Sequence, residues 1–219
     1  MSMLWYNLAL FLAALAGFLY GAVRFFRGKK ALYLQMIVCG LGCMMLSRLF
    51  QVVMILNLGA LRPGFHVGYL GYSGMFLFFF SANYGQMDSL VDDGSAALRP
   101  YRRKALYAPA AVLLIYLPIA LSGASLSMKI SCALIAALAA AAAYYHMKHL
   151  IIPDVDYGII RSIRGYNRFA LLIGLLSMTE LATLALDMRG ALIPLGAALG
   201  VDYLLLLPIL ERGVKQWTT

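Results

Sequence analysis

The sequence predicts an all-α membrane protein, a bundle of seven transmembrane helices with the N-terminus outside and the C-terminus cytoplasmic. Three observations carry this. Of 219 residues, 63% are hydrophobic and only 12% charged, where soluble domains have just under half and about a quarter. Mean hydropathy is +0.83. Apolar runs of about 20 residues, the length that crosses a hydrocarbon core as helix, recur seven times between charged or Gly/Pro-containing breaks. This composition excludes a water-soluble enzyme, a disordered tail and a nucleic-acid-binding module.

The first span, about 4–26, has no charge in Met1 to Asn7, unlike the basic start of a secretory signal, and ends at Arg27-Gly28-Lys29-Lys30. The second, 31–57, stops before Arg62-Pro63-Gly64, and the third, 66–91, runs to Asp92-Asp93-Gly94-Ser95. Ser122-Gly123 parts the fourth, 105–122, from the fifth, 126–145. The sixth, 169–186, follows Pro153-Asp154 and a polar stretch, and Arg189-Gly190 precedes the seventh, 191–210. Small residues let helices approach closely, so the Ala-rich stretch from Ala133 to Ala143 is expected at the centre. The Phe-rich flank from Phe76 to Phe80 is expected to face lipid. Residues 1–219 form one domain, with the longest extramembrane pieces near Asp92 to Lys104 and near His146 to Arg168.

The basic residues alternate between the two sides. Arg24, Arg27, Lys29 and Lys30 fall in the first loop, and Arg99, Arg102, Arg103 and Lys104 in the third. Lys148, Arg161, Arg164 and Arg168 fall in the fifth, and Arg212 and Lys215 in the tail. Only Arg62, Lys129 and Arg189 lie on the other side. The positive-inside rule places the rich side in the cytoplasm. The net charge of +9 is therefore a topology signal that also suits anionic headgroups. The expected location is the cytoplasmic (inner) membrane, multi-pass. The expected partners are that bilayer and a small-molecule ligand or solute; a homo-oligomer is compatible, and no nucleic acid is expected. Cys39, Cys43 and Cys132 sit in apolar runs without the spacing of a disulfide framework or zinc knuckle. No cofactor is implied.

Polar side chains inside hydrocarbon are costly unless they turn inward and find partners. In the second span Gly40, Cys43, Ser47 and Gln51 share one helix face, with Arg48 at its edge. In the third, Ser81, Gly85, Asp88 and Asp92 share a face, while Asn83 and Gln86 project from another side. Gly174, Ser177, Glu180 and Thr183 step along the sixth, and Gly196 and Gly200 precede Asp202 and Tyr203 in the seventh. A guanidinium as deep as that of Arg48 needs an anion, and the expected partner is Glu180, with Asp202 second. A buried Arg–Glu pair can equally serve only helix packing.

The expected ligand-binding residues are Arg48, Gln51, Asn83, Gln86, Glu180, Asp202 and Tyr203. No catalytic residue is indicated. A weaker metal reading rests on Asp88, Asp92, His146 and His149, because carboxylates one turn apart could hold Mg²⁺ and paired histidines a transition metal; charge networks with the loop arginines explain the same residues. Asp154, Asp156, Tyr157, Arg161, Arg164, Tyr166 and Asn167 lie at the same rim. In helix number and orientation the chain is similar to small seven-helix solute carriers, and equally to the membrane part of bacterial seven-helix sensors, with the signature of neither. The function expected first is binding or translocation of a small polar or anionic solute within the bundle. The alternatives are a ligand sensor signalling through its cytoplasmic loops and, third, a metal-dependent lipid-modifying enzyme at the rim.

Overall fold

The structure is a computed structural model that describes residues 3–27, 30–61, 64–153 and 159–218, with no strand among them. The helices are α1 (Met3–Phe25), α2 (Leu32–Leu58), α3 (Gly68–Ala82), α4 (Asp88–Val91), α5 (Arg99–Ala105), α6 (Tyr107–Leu121), α7 (Leu126–Ile151), α8 (Ile159–Ala185) and α9 (Leu192–Thr218). Six segments are long and apolar enough to cross a membrane: α1, α2, Ala96–Leu121, α7, Ile163–Ala185 and Arg189–Lys215. The chain is thus an all-helical, multi-pass membrane protein. The third apolar run is divided differently. α3 has 15 residues, and a five-residue π turn (Asn83–Met87) and the four residues of α4 follow it directly.

Helix ends follow local chemistry. α2 stops at Gly59, whose φ of +75° suits glycine, and the Gly59 amide donates back to the Ile55 carbonyl at 2.8 Å. α7 starts where the Ser125 hydroxyl accepts from the Met128 amide. α7 continues to Ile151 and α8 begins at Ile159, so the loop expected from His146 to Arg168 is largely helix. Hydropathy marks where hydrocarbon ends, whereas lysines and arginines extend a helix beyond it without strain.

α1 packs on α2 and α9, α2 on α3, α3 on α7, α7 on α8, and α8 on α9, closing a ring, with α6 outside against α7 and α8. Leu113, Leu114, Leu117 and Leu121 of α6 point outward. The Ala-rich helix is not the most enclosed: α2 and α8 are buried over half or more of their apolar length, and α7 over 39%. Alanines 136, 139, 140, 142 and 143 of α7 are buried while Ile130 and Leu134 are exposed. Alanine permits close approach, but the central positions go to the helices whose polar side chains must be enclosed.

The Phe-rich flank is likewise corrected. Phe76 and Phe79 are buried and only Leu77 between them is exposed. Gly40 across the seam leaves the space that Phe79 fills, since a Cβ there would lie 2.8 Å from its ring.

Candidate functional site

The α2–α3 seam is built from small residues. A Cβ on Gly71 would fall 2.5 Å from the Cys43 carbonyl oxygen and 3.1 Å from Ser47 Cα, and one on Gly74 would fall 2.9 Å from Cys43 Sγ. The Ser47 hydroxyl donates to the Gly68 carbonyl at 2.7 Å. The face Gly40, Cys43, Ser47, Gln51 is therefore the α3-packing face. Close approach along it carries Arg48, at its edge, into the middle of the ring.

There Arg48 meets Glu180 of α8 in a two-pronged pair: Nη1 donates to Oε1 at 2.7 Å and Nη2 to Oε2 at 2.5 Å. Both side chains are essentially without solvent exposure. Tyr6 of α1 donates to Oε1 at 2.8 Å and Tyr72 of α3 to Oε2 at 2.8 Å. A carboxylate has about four acceptor positions, and these four donors fill them. The guanidinium also lies 5.3 Å from the Tyr72 ring centre, and Nη1 reaches Gln51 Oε1 at 3.3 Å and Asn7 Oδ1 at 3.4 Å. Four helices are clamped by one ion pair whose acid is saturated.

Above this clamp, toward the end bearing Met3, the helices splay around a cavity of about 810 Å³. Gly59, Ala60, Leu61 and Gly64 on one side and Asp187, Arg189 and Gly190 on the other border its mouth, where Arg189 and Asp187 pair with each other at 2.8 Å. Asp187 takes a left-handed φ of +53° to make that turn. Leu181, Leu184, Leu192 and Ile193 form apolar wall, and Tyr6 and Gln51 reach it from the clamp. Gln51 is eight residues before Gly59, about 12 Å down α2. His66, two residues ahead of α3 and outside any spanning helix, stacks on Tyr69 with ring centres 4.2 Å apart. Burial pulls its imidazole below the ordinary histidine value.

A second polar cluster lies toward the basic end. Asn83, His146 and Asn167 meet within 2.8–3.0 Å of one another, joining the π turn to α7 and α8. The π turn beginning at Asn83 bonds each residue to one five positions on, which breaks the regular helical spacing assumed for this span. Asp88 and Asp92 both meet α7, as their shared face implies, while Gly85 has no neighbour near enough to touch a Cβ. Lys148, only 3% exposed, stands between the carboxylates. It pairs closely with Asp88 and at 3.2 Å with Asp92, which also pairs with Arg102 at 3.2 Å. His149 approaches Asp88 at 3.2 Å. At the loop, Asp92 and Asp93 accept from the Gly94 and Ser95 amides at 3.0 and 2.8 Å, and that bonding holds the Asp93 carboxyl below its usual range.

The expected ligand-binding residues are thus dispersed. Gln51 lines the cavity; Arg48 and Glu180 lie beneath it; Asn83 belongs to the second cluster. Asp202 and Tyr203 are buried, and no hydrogen bond links Asp202 to Arg48. The metal candidates do not converge: Lys148 occupies the space between the two carboxylates and His146 faces asparagines. No group of three or more His, Cys, Asp or Glu side chains among the described residues could hold a metal ion. Asp154, Asp156 and Tyr157, and the side chains of Gln86 and Arg161, lie outside the described residues.

Sequence reasoning missed Tyr6, Tyr72, His66 and the buried role of Lys148. The available signal was hydroxyl bookkeeping: a tyrosine deep in an apolar run must direct its O–H at an acceptor. Compared with protein-family models, curated proteins and solved structures, the chain matches none.

Proposed function

We propose that this chain is a seven-pass receptor-type bundle that takes a small molecule from the outer face into the cavity above the Arg48–Glu180 clamp. The seventh pass is the continuous run of α3, the π turn and α4, about 36 Å of helix. With it, the basic loops alternate to one side and the N-terminus lies outside. The observation that carries the reading is the 810 Å³ cavity at the Met3 end, of the size that encloses small ligands, with polar groups at its inner wall.

Binding is favoured over translocation by what lies beneath. Met44, Met75, Phe79 and Leu206 there have no exposed surface, and the clamp ties α1, α2, α3 and α8 together. A ligand that shifts Tyr6 or Gln51 acts directly on groups bonded to the clamp, and the clamp holds the helices that end in the basic loops. A sensor passing its signal to a cytoplasmic partner is the form this takes. The enzyme reading loses support because Lys148 neutralises the rim carboxylates.

The test is accessibility. Cys39, Cys43 and Cys132 are replaced by alanine, and Leu184→Cys is added in the cavity wall. A membrane-impermeant thiol reagent should label intact cells from outside, and Leu184→Trp, which adds bulk to the cavity wall, should weaken small-molecule binding seen by native mass spectrometry. Labelling from the cytoplasmic side alone, or from neither side, overturns the reading. Accumulation of solute in sealed vesicles would instead favour a carrier.

A further inference from the structure

Among the described residues Gln51, His66 and Tyr69 of the cavity wall each carry a polar atom with no hydrogen bond, and the first two lie together and narrow what the cavity accepts. The first is the Gln51 amide. Its Oε1 is held as acceptor by Arg48 Nη1 at 3.3 Å, which fixes the amide orientation and turns Nε2 away from the guanidinium. Gln51 is 3% exposed and lines the cavity, and Nε2 has no acceptor among the described residues. The second is His66 Nδ1, buried and unpartnered. A methyl built on Gly68 would fall 2.8 Å from His66 Nδ1 and 3.3 Å from Gln51 Cγ, so both side chains converge on one patch of wall at the start of α3. Gln51 Nε2 faces the cavity with no acceptor from the described residues, and an acceptor brought by a ligand would supply one.

The rest of the wall defines the body of that ligand. Met3, Leu181, Leu184, Leu192 and Ile193 are apolar. The charged groups at the mouth, Arg189 and Asp187, neutralise each other, and the Arg48 charge is met by Glu180. Nothing on the wall offers a net charge to a carboxylate or an ammonium group.

We infer that the cavity binds an uncharged lipophilic molecule bearing a carbonyl group, an amide, ester, ketone or lactone, whose oxygen accepts from Gln51 Nε2 at the patch shared with His66 while its apolar body lies along α8 and α9. This rests on the cavity being open to the outer face, and it replaces the anionic solute expected from Arg48.

The experiment uses the Leu184→Cys protein in intact cells and measures how three probes with the same eight-carbon body slow thiol labelling. Octanamide is expected to slow labelling about tenfold, octanoate less, and octylamine, which at neutral pH offers only donors, not at all. Gln51→Leu is expected to bring octanamide down to the level of octylamine, each measured against that variant's own labelling rate without probe. Equal protection by octylamine and octanamide, or stronger protection by octanoate, overturns the inference with the cavity reading intact. The probe series on the unaltered wall decides the matter even if Gln51→Leu fails to fold. Absence of labelling from outside in every condition would instead overturn the cavity reading itself.

Discussion

The Arg48–Glu180 clamp yields the sharpest quantitative expectation, through Arg48→Met, Glu180→Met and the double variant. Removing one partner of a buried pair leaves an uncompensated charge and costs about 3–5 kcal/mol. For Glu180→Met the Tyr6 and Tyr72 hydroxyls also lose a charged acceptor, each bond being worth about 1.5–3 kcal/mol, so this single variant should be the worst. At about 2–4 °C per kcal/mol for a chain of this size, each single change should lower the melting midpoint in mild detergent by roughly 10 °C. The double variant carries no stranded charge and has two flexible apolar side chains of similar length, so only the unpaired tyrosine hydroxyls remain as a cost. It should melt above the Glu180→Met protein, with a coupling of at least about 3 kcal/mol. Single effects that add to within about 0.5 kcal/mol, the behaviour of independent sites, would refute the reasoning. So would a midpoint unchanged in Glu180→Met, because a guanidinium that tolerates losing its acid is hydrated.

Gly71→Ala should separate α2 from α3 and cost about 3 kcal/mol, since its Cβ would meet the Cys43 backbone oxygen, whereas Gly85→Ala, open to space, should be neutral or stabilise by up to about 1 kcal/mol; equal midpoints for the two would contradict the seam. Lys148→Met strands Asp88 and leaves Asp92 with Arg102 as its partner, and should cost about 3 kcal/mol, with Asp88→Asn in the same background restoring part of it, again read by thermal melting. His66, whose folded-state pKa lies below the unfolded value, binds its proton later than the unfolded chain does as pH falls. Its contribution to stability is therefore complete above about pH 6.5 and declines on acidification toward the folded-state pKa. His66→Phe, which keeps a ring against Tyr69, should flatten the loss of melting midpoint between pH 6.5 and 5, and parallel slopes would rule this out.

Much of the arrangement is legible in residue order. A buried arginine in an apolar run has few acids to choose from, and Glu180 is indeed its partner. The Phe76–Phe80 flank, the faces around Gly85 and the dispersal of Asn83 and Asp202 from the clamp could not be read, because each depends on how a helix is rotated about its axis.

By itself the sequence determined the all-helical, membrane-spanning character, because hydropathy sums over some twenty consecutive residues and needs no knowledge of neighbours. Only the tertiary structure decided that the carboxylate of Glu180 is saturated by donors from three other helices, and that an open cavity lies above it rather than around it. Both follow from rotations and tilts set by long-range packing, where side chains far apart in the chain compete for the same space.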